Sequence, residues 1–173
     1  SLSAKDKGYA ITQSSRQIFE KLGLWREIQK YACGFKSLSI IDDELSQSVI
    51  VRKNDLKRFN KNQNNIGWVI EHKFLMKIFL DSINNNKFIY RSNINSTNDA
   101  DYNFILAADG RDSSTRQSWN IKYIKRFYKQ RCISFRAVLE GIPYQRAYEI
   151  FRHEGPLALL PLRNNIYQVI WFS

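Results

Sequence analysis

Residues 104–116 read Phe-Ile-Leu-Ala-Ala-Asp-Gly-Arg-Asp-Ser-Ser-Thr-Arg. The apolar run 104–108 predicts a strand buried on both faces, as in a parallel sheet, and the polar run after it favours the start of a helix. A carboxylate such as Asp109 at the end of that strand can accept hydrogen bonds from a sugar hydroxyl, and Gly110 permits a tight turn with positive φ. Because a helix N-terminus offers free N–H groups to a phosphate, we predict a nucleotide-binding crevice at this edge of the sheet.

The same residues also fit a simpler structure that binds no ligand. Asp112 or Ser113 has the side chain that a helix N-cap requires, and an Asp-Gly pair is a common turn. Two interpretations therefore stay open here, a nucleotide-binding turn and a plain strand–turn–helix junction.

The segments before this motif alternate between helical and strand periodicity. Apolar residues recur at helical spacing over 14–32, where Ser14 or Ser15 can be the N-cap. Gly23 predicts a break there, with one helix ending near Leu22 and a second one following it. The other elements predicted before the motif are a hairpin of two strands, 38–41 and 49–51, joined across the polar turn 42–48, then a helix over 68–83 and a strand at 87–90.

Beyond residue 121 the pattern is strand-like throughout. Apolar residues at 133, 135, 137 and 139 alternate with other residues and predict one buried face. Turn residues at 155–156 and 163–165 indicate an antiparallel sheet, whose strands are predicted at 132–140, 147–152, 157–160 and 166–172. We therefore expect an α+β or mixed α/β fold with two layers, between which the chain crosses more than once.

Composition excludes several classes of protein. The 173 residues are 43% hydrophobic, enough for one core or two small ones, and no stretch approaches the roughly 18 apolar residues of a membrane span. We find no secretory signal and expect a cytoplasmic protein with Cys33 and Cys132 as free core thiols. His72 and His153 stand apart from the cysteines, so no metal site is predicted, and no G-x-S-x-G elbow supports a hydrolase.

The formal net charge of +11 has three interpretations. It is compatible with nucleic-acid binding, with ordinary solvated basic faces, and with attraction to an anionic membrane surface. Because the basic residues are scattered, as over 53–61 and 122–131, we predict no nucleic-acid partner.

Five segments, in order, resemble the FAD-dependent aromatic hydroxylases, the family of para-hydroxybenzoate hydroxylase. The motif Ala-Ala-Asp-Gly with Asp-Ser and Arg-Gln over 107–117 is similar to the family's G-A-D-G-x-x-S-x-x-R. The downstream match, Phe151 with Gly-Pro-Leu-Ala-Leu-Leu-Pro-Leu at 155–162 and Val-Ile-Trp at 169–171, resembles the ubiquinone-biosynthesis branch. The other matches are Leu-Gly-Leu-Trp at 22–25, Gly-Trp-Val-Ile-Glu-His at 67–72 and Tyr-Lys-Gln at 128–130.

The resemblance implies a partial FAD-binding, Rossmann-like layer interleaved with an antiparallel substrate-domain sheet. The FAD-binding segments would be 1–35 and 67–120, and the substrate-domain segments 36–66 and 121–173. The G-x-G-x-x-G turn and the later Gly-Asp motif of the family have no counterpart in the sequence. We therefore expect an internal fragment that binds FAD poorly by itself.

The resemblance also implies site residues. Asp109 and Gly110 match residues beside the FAD ribose and pyrophosphate, His72 matches a cofactor-contacting position, and Lys7 lies near a family arginine on the flavin side. For each of the last two, a solvated surface residue is the alternative. Substrate-pocket residues would be Pro156, Leu157 and Leu159, for which the alternative is core of the sheet; no catalytic residue is assigned.

The implied activity is FAD- and NAD(P)H-dependent hydroxylation of a small aromatic substrate, a polyprenylated phenol or quinone precursor. Such a substrate would bring the protein into peripheral contact with a membrane. Two alternatives stay open: a related flavoprotein reductase or halogenase, and a basic nucleic-acid-binding module.

Overall fold

The computed structural model describes residues 7–56, 64–85 and 103–173. The chain divides into a large unit, Ser1–Phe88 with Gln130–Ser173, and a small unit, Ile89–Lys129. The helices are α1 (Gln13–Lys21), α2 (Trp25–Tyr31) and α3 (His72–Asn85) in the large unit and α4 (Ser114–Ser118) in the small unit. The strands are β1 (Gly8–Ile11), β2 (Cys33–Phe35), β3 (Ser37–Asp42), β4 (Gln47–Arg52), β5 (Gly67–Glu71), β6 (Cys132–Val138), β7 (Arg146–Phe151), β8 (Leu157–Pro161) and β9 (Ile166–Phe172).

The strands of the large unit form two sheets. The first has the order β1-β5-β2 and is antiparallel. The second has the order β4-β3-β7-β8-β9-β6, in which only the β3–β7 pair is parallel. The chain enters the second sheet at β3, returns to the first at β5 and re-enters the second at β6, so the predicted mixed fold with repeated crossings is confirmed.

Strand β5 lies between two cores. Trp68 and Ile70 belong to a core built with the three helices of the large unit, whereas Val69 packs with Phe35 and Ala147 in a core between the sheets. The prediction of a helix beginning at residue 68 was wrong, because a short apolar run buried on both faces is satisfied by a central strand. The helix begins instead at His72.

The break within 14–32 is confirmed. Gly23 has φ +71° between α1 and α2, a left-handed conformation that glycine adopts without the strain of a side chain. The N-cap predicted at Ser14 or Ser15 was wrong by two or three residues, because Thr12 supplies the capping oxygen and its Oγ1 accepts from the Ser15 N–H at 3.3 Å.

The hairpin over 38–51 and the four downstream strands are confirmed. The buried face expected on 132–140 was wrong at its start, since Ile133 and Phe135 are exposed. They lie on β6, the last strand in the order of the second sheet, where fewer neighbouring side chains cover them. Cys33 is a buried free thiol as predicted, but Cys132, also free, is exposed on the same edge strand.

The apolar run 104–108 is not a strand in the structure, so the prediction of a buried strand there was wrong. Phe104 and Leu106 are 95% and 89% exposed, and within the described residues no strand pairs with this segment. A strand buried in a sheet needs neighbours to take up its backbone N–H and C=O groups. The strand predicted at 87–90 lies outside the described residues. Within the described ranges, no helix is long and apolar enough to cross a bilayer.

Candidate functional site

Asp109 is the centre of a hydrogen-bonded turn in the small unit. Its Oδ1 accepts from the Ser113 hydroxyl at 2.5 Å and its Oδ2 from the Thr115 backbone N–H at 3.1 Å. Ser113 Oγ in turn accepts from the Arg116 N–H at 2.9 Å and caps α4. The Ser113 hydroxyl first, and then the Thr115 N–H, hold the pKa of the Asp109 carboxyl far below its usual range, because they stabilise the charged form.

Ser113 is thus the N-cap that the simpler interpretation foresaw, whereas Asp112 is not. The Asp112 carboxylate forms an exposed ion pair with Arg111 at 2.9 Å, and this hydrogen bond and charge lower its pKa. The helix N–H groups of Thr115 and Arg116 already have acceptors in the turn. Fewer donors are therefore available to a phosphate than the sequence suggested.

The turn is nevertheless open on its outer side. Gly110 has φ +90°, and a Cβ atom placed on it would meet no heavy atom within 4 Å. Asp109 is exposed to solvent. A ligand can therefore approach the backbone of Gly110 and the carboxylate of Asp109 without displacing protein atoms.

An open crevice of about 1050 Å³ lies beside α4 in the same unit. Arg116 links the turn to the crevice, because it lines the crevice and donates from Nη2 to the Arg111 carbonyl at 2.5 Å. Its guanidinium carbon also lies 4.3 Å from the centre of the Tyr123 ring, a cation–π contact. The other lining residues are Gln117, Asn120, Ile121, Lys122 and Ile124.

Lys7 and His72 come together in the large unit through the pairing of β1 with β5. The His72 backbone N–H donates to the Lys7 carbonyl at 2.8 Å. The His72 side chain is 8% exposed, and its Nδ1 is 2.9 Å from the Tyr9 hydroxyl. Tyr9 therefore orients the imidazole and leaves Nε2 without a partner among the described residues.

The sequence did not predict the contacts that three residues make near His72: Tyr9, Glu71 and Arg136. Glu71 Oε2 accepts from Arg136 Nη2 at 2.9 Å and lies 3.2 Å from Lys73 Nζ. The first of these ion pairs joins β5 of the first sheet to β6 of the second. Because its partners are 65 residues apart, no local pattern indicated it, and only the match at 67–72 drew attention to Glu71.

Leu157 and Leu159 lie on one face of the second sheet. The register places them opposite Trp171 and Val169 of β9, and both are half-buried. Leu160 points to the opposite face and packs against the core between the sheets. Leu160 is therefore part of the core, whereas Leu157 and Leu159 lie on the other face of the sheet.

Pro156 precedes β8, where its carbonyl accepts from the Phe172 N–H at 3.0 Å. The predicted site residues therefore fall into three groups. Asp109 and Gly110 are together in the small unit; Lys7 and His72 form one group in the large unit, and residues 156–159 form another.

No family model matches the chain. The uncharacterized protein slr1300 of Synechocystis is 24% identical over an alignment of 187 positions, which covers 96% of this chain and 44% of that protein.

Two solved structures share the fold. PqsL of Pseudomonas aeruginosa, a probable FAD-dependent monooxygenase, superposes with a TM-score of 0.67 at 12% identity, covering 98% of this chain and 51% of that one. HpxO of Klebsiella pneumoniae, complexed with FAD and uric acid, superposes with a TM-score of 0.70 at 10% identity, covering 100% and 48%. The mixed α/β fold is therefore similar to that of FAD-dependent monooxygenases, and the chain spans about half the length of these relatives.

Proposed function

We propose that the chain is part of an FAD- and NAD(P)H-dependent monooxygenase that hydroxylates an aromatic substrate, a polyprenylated phenol or quinone precursor. The observation that carries this proposal is the fold likeness to HpxO and PqsL over nearly the whole chain. The motif of Asp109 and Gly110, which resembles an FAD-contacting motif, supports it independently. The ubiquinone-biosynthesis branch rests on the resemblance of 155–171 alone.

The residues of the turn fit the ribose and pyrophosphate of FAD. A carboxylate has about four lone-pair sites, and Asp109 uses three of them in its hydrogen bonds from Ser113, Ser114 and Thr115. It can therefore accept one further bond from a ribose hydroxyl. Gly110 presents its backbone to open space, which is the property that close approach of a pyrophosphate requires.

In the large unit, His72 and Lys7 would contact FAD as hydrogen-bond donor and cation. In the tautomer in which the Tyr9 hydroxyl donates to Nδ1, Nε2 carries a proton that it can donate to an oxygen. Lys7 is exposed and adds a positive charge. Bound FAD, reduced by NAD(P)H, would supply the activation of dioxygen, while the protein positions the substrate and excludes water.

The substrate would lie against the apolar face that carries Leu157 and Leu159, with Pro156 at its edge. The neighbouring Val169 and Trp171 continue this face, and Arg152 lies 4.9 Å from the centre of the Trp171 ring. Apolar and aromatic walls with few polar groups are typical of pockets for aromatic ligands. A prenyl tail on that ligand would account for peripheral contact with a membrane.

Titration of the chain with FAD, followed by quenching of flavin fluorescence, tests the cofactor site. We expect weak binding, made at least about tenfold weaker by Asp109→Ala because a carboxylate–hydroxyl bond is lost. Asp112→Ala removes an exposed carboxylate three residues away and should leave binding unchanged. Ser113→Ala removes the helix cap but keeps the Asp109 carboxylate, so it separates loss of the turn from loss of the ligand contact.

Equal FAD affinity of the parent chain and the Asp109→Ala variant would show that Asp109 does not contribute to FAD binding. A stoichiometric yellow complex after purification would contradict the expected weak binding.

The activity is tested on the chain together with any coding sequence that flanks it in its gene. NADH or NADPH consumption is followed with phenolic substrates and isotopically labelled dioxygen. Hydroxylation predicts one labelled oxygen atom in the product. A reduced or halogenated product without that oxygen would instead favour a flavoprotein reductase or halogenase.

A further inference from the structure

Residues 119–129 form an exposed segment of the small unit, here called the basic aromatic segment. It follows α4 and contains neither helix nor strand. Ile124, Phe127 and Tyr128 are 88%, 81% and 84% exposed. The other large apolar or aromatic side chains exposed on it are Trp119, Ile121 and Tyr123.

The same segment is strongly basic. Lys122, Lys125, Arg126 and Lys129 alternate with its aromatic and aliphatic residues, and residues 113–139 contain no aspartate or glutamate. Lys125 Nζ lies 5.1 Å from the centre of the Phe127 ring, so cation and ring are presented side by side. Basic residues that look scattered in the sequence thus lie in one exposed segment together with exposed apolar side chains.

This combination discriminates between kinds of partner. Protein interfaces are enriched in aromatic residues but depleted in lysine. Single-stranded nucleic acids stack their bases on aromatic rings. The exposed aliphatic side chains of Ile121 and Ile124 offer no ring for such stacking. The boundary of an anionic bilayer accommodates all three groups, because lysine and arginine meet the headgroups, aromatic rings lie at the interface and aliphatic side chains enter the acyl region.

We propose that the basic aromatic segment docks on a bilayer that contains anionic lipid. Ile124, Phe127 and Tyr128 enter the boundary between headgroups and acyl chains, while Lys122, Lys125 and Lys129 lie among the anionic headgroups. This inference rests on the proposed function, and it assigns a surface to the peripheral membrane contact named there. Docking itself requires no flavin, so its failure can be distinguished from failure of the monooxygenase proposal.

The test is co-sedimentation of the 173-residue chain with vesicles. Vesicles of phosphatidylcholine alone are compared with vesicles that contain about one-third phosphatidylserine, at low and at physiological salt. We expect at least about tenfold stronger partitioning to the anionic vesicles, weakened by salt because the Debye length shortens. Equal partitioning to the two vesicle types would overturn the proposal.

Two variants locate the surface. Neutralising Lys122, Lys125 and Lys129 with glutamine should weaken partitioning about a hundredfold, since each cation near an anionic surface contributes about fivefold. Phe127→Ser with Tyr128→Ser should also weaken partitioning but leave its salt dependence nearly unchanged. Far-UV circular dichroism verifies that both variants are folded, which the exposure of the replaced side chains leads us to expect.

The matched control neutralises three exposed lysines of the large unit, Lys21, Lys36 and Lys77, and changes the net charge by the same amount. Partitioning of this control close to that of the parent chain supports the segment as the docking surface. An equal decrease in partitioning of the control would show that net charge alone accounts for binding to the vesicles, and would overturn the proposal. Tighter binding to single-stranded RNA than to anionic vesicles, abolished by the same segment variants, would also overturn it.

Discussion

The turn around Asp109 is held by contacts between near neighbours in sequence. The junction of β1, β5 and β6, where Tyr9 contacts His72 and Arg136 contacts Glu71, is held by contacts between distant residues. Among the described residues, the partners of Asp109 lie within six residues of it, from Ser113 to Thr115. The partners of the junction, Tyr9 with His72 and Arg136 with Glu71, lie 63 and 65 residues apart. The turn is therefore specified by its own residues, whereas the junction exists only when the strands of the large unit have assembled.

The difference bears on function. A locally bonded turn can keep its geometry when its surroundings change, which suits a site that must meet a ligand from outside. A junction held by distant residues is coupled to the stability of the whole unit, so His72 is positioned only as well as the two sheets are packed. Substitutions should therefore act globally in the large unit and locally in the small one.

The largest expected effect is that of Ile70→Ala on β5. Ile70 is fully buried in the core with the helices, so its truncation should lower the free energy of unfolding by about 2–5 kcal/mol. Ile124→Ala in the small unit removes the same atoms from an exposed side chain and should change the free energy of unfolding by less than about 0.5 kcal/mol. Urea unfolding followed by circular dichroism measures the free energy of unfolding of both variants. Similar decreases in the two variants would contradict the proposed difference between the units.

A smaller effect is expected where glycine has positive φ in each unit. Gly155→Ala forces a side chain onto φ +130° with its Cβ 2.8 Å from the Phe172 carbonyl oxygen, so we expect a loss of about 2–3 kcal/mol. Gly110→Ala strains a backbone at φ +90° that has open space around it, and we expect a loss of about 1 kcal/mol. Thermal unfolding of the two variants measures these losses of stability. A larger loss for Gly110→Ala than for Gly155→Ala would contradict the prediction.

Removal of one charge from the junction should have a moderate effect. Glu71→Gln weakens the ion pair with the mostly buried Arg136 and should cost about 1–2 kcal/mol of unfolding free energy. The control Glu27→Gln breaks the half-exposed pair with Lys30 on α2 and should cost less than about 0.5 kcal/mol. Equal unfolding midpoints for the two variants would show that the Glu71 pair contributes no more than a surface pair.

The smallest effect is a change of titration rather than of overall stability. Because the pKa of Asp109 is depressed in the fold, its stabilisation of the turn is present above the unfolded pKa of about 3.9 and is lost as the pH falls through the lower native value. Ser113→Ala removes the strongest cause and should raise the pKa of Asp109 towards its ordinary value.

Carboxyl NMR titration measures this shift. Arg111→Gln is the matched control, since it should raise the pKa of Asp112 and leave that of Asp109 in place. An unchanged pKa of Asp109 in the Ser113→Ala variant would contradict the hydrogen-bonded turn.

Much of the fold could be predicted from local pattern. The helix break at Gly23, the hairpin over 38–51 and the strands from residue 132 onward follow from periodicity and turn residues, which report structure formed between neighbours in sequence. The same holds for Ser113 as a cap and for the open turn at Gly110, because the interactions there span only a few residues.

The tertiary structure decided the rest. It placed Trp68–Ile70 in a central strand, left 104–108 and the start of β6 exposed, and brought Tyr9 to His72 and Arg136 to Glu71. Each of these outcomes depends on which strands are neighbours and on which faces they cover. That order is fixed by burial summed over residues far apart in the chain, so a pattern confined to one segment does not contain it.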